Sequence, residues 1–206
     1  MTVSYIIIAV TLLASFYAWK NHDIFHKWIF NPYQVSTNKQ YYRFITSGFI
    51  HSSYMHLFFN MFTFYFFSRA IESTFNQLYG SLGIVYFLIL YVVGIIVSDI
   101  PTFLRHRNNP GYNSLGASGG VSSIVFSYIL FFPTENLYLF ALIPIPGFIL
   151  GLLFVIYSYY KGNSTGDKIN HDAHLYGALF GLVFTIIIEP NIISHFIEQL
   201  SEFALF

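Results

Sequence analysis

Ser118 stands among small residues, in Gly116-Ala117-Ser118-Gly119-Gly120, where a polar, proline-containing loop gives way to an apolar run. The glycines strip side-chain bulk from around its hydroxyl, so another backbone or a substrate can come close to Oγ. A serine is a poor nucleophile until a base takes its proton, and histidine is the side chain whose pKa suits that task near neutral pH. His174 is followed by Gly177 and Gly181, three and seven residues on, which puts all three on one face of a helix. That strip lets the helix of His174 press against a neighbour, and Gly119 and Gly120 offer the matching strip on the helix of Ser118. Close packing would bring the imidazole within reach of the hydroxyl. Ser118 would then attack a carbonyl, with His174 as general base and afterwards general acid. His56 and Asn60 are four apart and project from one helical face, with His51 just ahead of them. A His N–H and an Asn amide can meet the oxyanion that develops in acyl transfer, alongside the Ser118 backbone N–H.

The elements that position these groups belong to a membrane protein. Of the 206 residues 55% are hydrophobic, 21% aromatic and only 9% charged, more apolar side chain than an ordinary soluble domain can hide. Apolar runs of spanning length fall at roughly Val3 to Trp19, Ser47 to Phe67, Leu78 to Val97, Leu115 to Phe132, Leu137 to Tyr160 and Ala173 to Ile188. Six helices in one domain over residues 1–206 are expected, an all-α bundle, with a short interfacial segment from about 191 to 206. The first run starts right after Met1-Thr2 without basic residues and no small-x-small site precedes Trp19-Lys20, so it reads as a retained span. Pro133 and Glu189-Pro190 end the fourth and sixth runs, and Pro144 with Pro146 bends the start of the fifth. The formal net charge is zero without a basic cluster, which gives no footing for nucleic acid. With no cysteine there is neither a thiolate nucleophile nor a thiolate metal site.

Alternation of direction makes the second, fourth and sixth spans run the same way, so their N-terminal ends share one face of the bilayer. Those ends carry His51, His56 and Asn60, then Ser118, then His171 and His174. A polar or ionisable group at the centre of a span costs up to about 2.5–3.5 kcal/mol, so a set of them at one depth needs a reason beyond helix-to-helix hydrogen bonding. The first, third and fifth spans show no comparable group. The long connection from Lys20 to Thr46 carries Phe25, Trp28, Ile29 and Phe30 among its charges and reads as partly embedded in the headgroup region. His22 and His26 lie four apart within it, but no third ligand stands at metal-binding spacing.

Together these residues resemble a known family. Gly116-Ala117-Ser118-Gly119 resembles the Gly-x-Ser-Gly motif of rhomboid intramembrane serine proteases. His51, His56 and Asn60 are similar to that family's His and His-x-x-x-Asn pattern, and Ala173-His174-Leu175-Tyr176-Gly177-Ala178-Leu179-Phe180-Gly181 to its Ala-His-x-x-Gly-x-x-x-Gly. The resemblance implies a Ser118 and His174 dyad without a catalytic Asp, so Asp167 and Asp172 are not third members. It implies an oxyanion hole of His56, Asn60 and the Ser118 N–H, supported by His51, Gly116, Gly119, Gly177 and Gly181. It also implies a six-span rhomboid bundle with no cofactor, in which the loop after the fifth span closes the cavity. The substrates it implies are transmembrane segments of other proteins, and the site opens to the outer face of a plasma or inner membrane. The loop cations, Lys168 among them, lie mostly on the site's side, which by charge count alone would place that side in the cytoplasm. Two positions depart from the family. Tyr42-Arg43 stands for a frequent Trp-Arg pair. Ser122 replaces an aromatic common four residues after the serine, so the His174 ring must be oriented by Tyr176 or by a neighbouring helix. Two other readings remain: a catalytically silent relative that binds membrane segments, and a metal-dependent hydrolase using His51, His56, His171 and His174. The second lacks the His-Glu-x-x-His pattern of such enzymes.

Overall fold

Small residues decide where the middle of the molecule lies. The computed structural model describes residues 2–139, 142–162 and 170–203. Its central helix, α7 (Ser118–Phe131), buries Gly119, Gly120, Ser122, Ser123 and Ser127 as well as Val121, Ile124, Phe126, Ile129 and Leu130. A helix with so little side chain on several faces can be approached from several directions. α9 (His171–Ile188), α6 (Leu82–His106) and α5 (Tyr54–Tyr79) pack around it, and α1 (Val3–Lys20) lies against α5. α8 (Gly147–Gly162) packs mainly on α9 and touches α7 more lightly. The α6 seam is equally close: a Cβ on Gly120 would lie 2.8 Å from the Tyr91 carbonyl oxygen.

Among the described residues three helices, α1, α6 and α9, are both long and apolar enough to cross a membrane, and α7 and α8 are apolar but shorter. α5 has 26 residues yet is not among them; it carries His56, Asn60, Arg69, Glu72 and Asn76. The second apolar run therefore does not mark this helix well. The helix starts at Tyr54, where the Ser53 hydroxyl accepts from the His56 N–H at 3.2 Å, and not at Ser47. It continues twelve residues beyond Phe67 because the charge that follows is satisfied internally. Glu72 is only 4% exposed, and its carboxylate accepts the Val3 N–H at 2.7 Å, the Ser4 N–H at 2.9 Å and the Ser4 hydroxyl. It caps the start of α1, where Thr2 supplies no side-chain cap. Hydrogen bonds to a charged partner are worth about 1.5–3 kcal/mol each. Glu72→Ala should therefore lower stability in detergent by about 3 kcal/mol in thermal unfolding, and Glu72→Gln by less. An unchanged midpoint for the alanine variant would remove this cap from the account.

The fifth run is corrected more sharply. Residues from Leu137 do not enter a helix: β1 (Asn136–Leu139) and β2 (Ile143–Pro146) form a two-stranded antiparallel hairpin, with Asn136 opposite Pro146, and α8 begins only at Gly147. Pro144 and Pro146 have no N–H to give a ladder, which suits a two-stranded edge better than a bent helix. The fold is thus almost, but not wholly, helical. The first loop folds into α2 (His22–Trp28), α3 (Pro32–Asn38), α4 (Arg43–Thr46) and a 3-10 turn at Ser47–Phe49. Arg43, 6% exposed, holds it together by donating to the carbonyls of His26 (2.8 Å) and Ile29 (2.6 Å) and to the Gln40 side chain (2.6 Å). α10 (Ile192–Glu202) follows α9 and docks through His195 on the Phe131 carbonyl, 2.9 Å away at the end of α7.

Candidate active site

The geometry of the site begins with Gly116, whose φ is +123°, a conformation side-chain-bearing residues avoid. Space forbids a side chain there as well. A Cβ on Gly116 would lie 2.6 Å from Cε1 and 2.7 Å from Nε2 of His56. The chain turns at this residue and α7 starts two positions later, with the Ser118 side chain half-exposed on the first turn.

The stretch leading into α7 is held from three sides. Phe30 and Ser114 exchange two backbone hydrogen bonds at 3.0 Å, which ties it to the first loop. The Gly116 N–H donates to the Ser47 carbonyl at 2.9 Å. The Ala117 N–H donates to Nε2 of His51 at 3.3 Å. His51 is fully buried, and its Nδ1 faces the hydroxyl of Ser15 on α1 at 3.1 Å, which in turn donates to the Phe49 carbonyl at 3.1 Å. Since Nε2 accepts, the proton must sit on Nδ1, so this imidazole is neutral. Burial first, and the neighbouring His56 second, push its pKa down to about 3. His51 therefore buttresses the backbone next to Ser118. The first helix, expected to contribute nothing, supplies its partner Ser15.

His56 sits 5.0 Å from His51, ring to ring, with its Nδ1 3.1 Å from the Ser52 hydroxyl. Its Nε2 is left over the Gly116 backbone. One turn on, Asn60 is 7% exposed and gives one amide hydrogen to the His56 carbonyl at 3.0 Å. That uses one of its two donors.

His174 is brought alongside by a seam between α7 and α9. Three pairs at four-residue steps form it: Gly119 with Gly177, Ser123 with Gly181, and Ser127 with Thr185. A Cβ on Gly177 would strike the Gly119 carbonyl oxygen and lie 2.9 Å from the Gly119 Cα, and one on Gly181 would lie 2.7 Å from the Ser123 Cα. The Ser123 hydroxyl bonds the carbonyls of Gly119 (3.0 Å) and Gly177 (2.9 Å), and the Thr185 hydroxyl donates to Ser127 at 2.8 Å. Both numberings rise together, so the two helices run parallel, and with Gly177 opposite Gly119 α9 begins more than a turn before α7, which sets His174 beside the chain just entering α7. Asn170 fixes the start of α9, accepting the Ala173 N–H at 3.1 Å and pairing with Thr102 of α6 at 3.1 Å. His171 is buried, with its ring 6.0 Å from that of His174. Among the described residues the Ser118 hydroxyl and the His174 imidazole make no hydrogen bond, to each other or to another group. A small cavity beside Ser118 is lined by Ser98, Asp99, Ser114, Gly116 and Asn170.

The sequence reading missed Ser15, Ser47, Thr102, Asp99 and Asn170. Asn170 carries an N-cap signal, and Ser15 shares a helical stripe with Ser4 and Thr11, the polar residues on the buried face of α1. Asp172 forms an ion pair with Arg105 of α6. Asp167, Lys168 and the loop expected to close the cavity lie outside the described residues. His22 and His26 do share α2, yet no group of three or more His, Asp or Glu side chains among the described residues gathers closely enough to hold a metal ion.

The arrangement offers acyl-transfer chemistry a hydroxyl at the free N–H end of a helix, an imidazole near the start of the parallel helix packed on it, and histidine and amide donors. Comparison with the curated proteins returned no match. Residues 38–191 match the family model described as the Rhomboid domain, and this stretch contains the His51, His56, Asn60, Ser118 and His174 positions. With well over half of its length matched, the chain belongs to the rhomboid family of integral membrane proteins, which are generally intramembrane serine proteases and include inactive homologues.

Proposed function

We propose that this chain is an intramembrane serine endopeptidase that hydrolyses peptide bonds in or near transmembrane segments of other membrane proteins. Ser118 Oγ attacks the scissile carbonyl while His174 takes its proton. The tetrahedral oxyanion is met by the Ser118 N–H, by His56 Nε2–H and by the second amide hydrogen of Asn60. For His56 to donate from Nε2, its Nδ1 must accept from Ser52, as their 3.1 Å separation allows. His174 then returns the proton to the leaving amine, and water, deprotonated by His174, releases the acyl group from Ser118. The substrate must unwind first, because a helical peptide bond keeps its carbonyl in the backbone ladder.

The observation that supports this reading is the parallel seam of α7 and α9, where Gly177 and Gly181 let the helix of the base lie directly on the backbone of the helix that begins with Ser118. The dyad hydrogen bond is absent, which is common before substrate binds and tightens the site. The same absence, with Ser122 in place of a ring, favours the second reading of a silent member that only holds membrane segments. The site is proposed to open to the outer face, following the family over the count of loop cations.

Covalent labelling separates the readings. A serine-directed phosphonate should form one adduct, on the peptide that contains Ser118, and chelators should change neither labelling nor cleavage of a single-pass substrate. Loss of both to a chelator would favour the metal hydrolase. Substrate binding without labelling would favour the silent relative.

A further inference from the structure

The His174 imidazole has no hydrogen bond among the described residues, so something other than a polar partner must hold its ring. Two rings touch it. His171 meets it edge-on, with ring centres 6.0 Å apart and planes at 80°. Phe154 of α8 lies nearly parallel, with centres 6.0 Å apart and planes at 24°. This is the offset stacked arrangement aromatic rings prefer. Phe154 is itself backed by Phe126 of α7, with centres 5.6 Å apart, and Phe126 is 5% exposed. The approach of α8 depends on Gly151, where a Cβ would lie 3.0 Å from Ile129 Cδ1 and 3.6 Å from the Phe126 ring. On α7 the side chain one turn after Ser118 is the short hydroxyl of Ser122, which presents no surface for a ring to lie on.

We propose that Phe154 is the positioning residue of the catalytic base: its ring fixes the plane of the His174 imidazole, so the base is aligned only while α8 is seated against α7 through Phe126. This rests on the reading of His174 as the base. The consequence is that an element packed only lightly on α7 carries the alignment of the proton acceptor. Displacing α8 would leave Ser118 in place and disorient His174. Tyr176, the other candidate for this task, is 39% exposed and has no recorded ring contact with His174 among the described residues.

Phe154→Leu keeps apolar volume and removes the ring, whereas Phe154→Tyr keeps the ring. For the leucine variant the phosphonate labelling rate and kcat should fall about fivefold to tenfold, with KM and the unfolding midpoint close to the parent; the tyrosine variant should stay near the parent. Equal rates in the parent and the leucine variant would overturn the proposal, as would equal losses in both variants. A second readout does not need activity. Ring-current shifts of the His174 imidazole protons in an NMR spectrum should be present in the parent and lost in Phe154→Leu. Their absence from the parent would overturn the stack, whereas their presence in a parent that does not react with phosphonate would leave the stack standing and refute the protease reading.

Discussion

Ser118→Ala should abolish both cleavage and phosphonate labelling, and His174→Ala should abolish cleavage and slow labelling, each by on the order of 10⁴-fold or more. The size follows from chemistry, since an alcohol without a base is a weak nucleophile and alanine is none. What makes the test clean is structural. The Ser118 hydroxyl bonds to nothing among the described residues, and alanine suits the first turn of a helix, so the fold has no reason to change. The unfolding midpoint of Ser118→Ala should match the parent within about 0.5 kcal/mol. His174→Ala removes a ring from contact with Phe154 and His171 and should cost somewhat more stability. Cleavage by purified Ser118→Ala, or inactivity traceable to unfolding, would end the assignment of Ser118 as nucleophile.

How much of this was legible beforehand depended on whether the signal was local. The seam was in part, because Gly119, Gly177 and Gly181 announce close helix packing by spacing alone, and the structure pairs Gly119 with Gly177 and Ser123 with Gly181; Gly120, expected on the same strip, faces Tyr91 and Ile95 of α6 instead. The expectation that His56, Ser118 and His174 gather at one end of the bundle came from alternation of spans. The boundaries of α5 were not legible, because hydropathy reads Arg69 and Glu72 as the end of a span, whereas the Glu72 carboxylate is hydrogen-bonded by the first turn of α1, 68 residues away in sequence. The hairpin at 136–146 was hidden by an apolar run that suits a strand or a helix equally well. The task of the first loop was invisible for a related reason. Its hold on the approach to Ser118 runs through backbone groups of Phe30, Ser47 and Ser114, and backbone bonds leave no mark in side-chain pattern. Ser15 was passed over because a lone serine in an apolar helix usually bonds its own helix.

The largest effect on folding and function together is expected at Gly177, and it separates packing from chemistry. A methyl group there meets the Gly119 carbonyl oxygen, with the Gly119 carbonyl carbon and Cα at 2.9 Å, all backbone atoms that cannot swing aside. α9 must therefore back away from α7. Overpacking of this kind costs about 1–3 kcal/mol. The hydrogen bond from Ser123 to the Gly177 carbonyl, 2.9 Å long, would stretch with it. Gly177→Ala should lower stability by about 2–3 kcal/mol, and Gly177→Val by more. Activity should fall further than stability, because a shift of the base by about 1 Å can cost roughly 10²-fold in rate. Leu179, 40% exposed two residues on, provides the control: Leu179→Ala should leave turnover unchanged and stability nearly so. Folded Gly177→Ala with full turnover would mean that the distance between α7 and α9 does not govern the reaction, and that His174 reaches Ser118 by some route other than the seam.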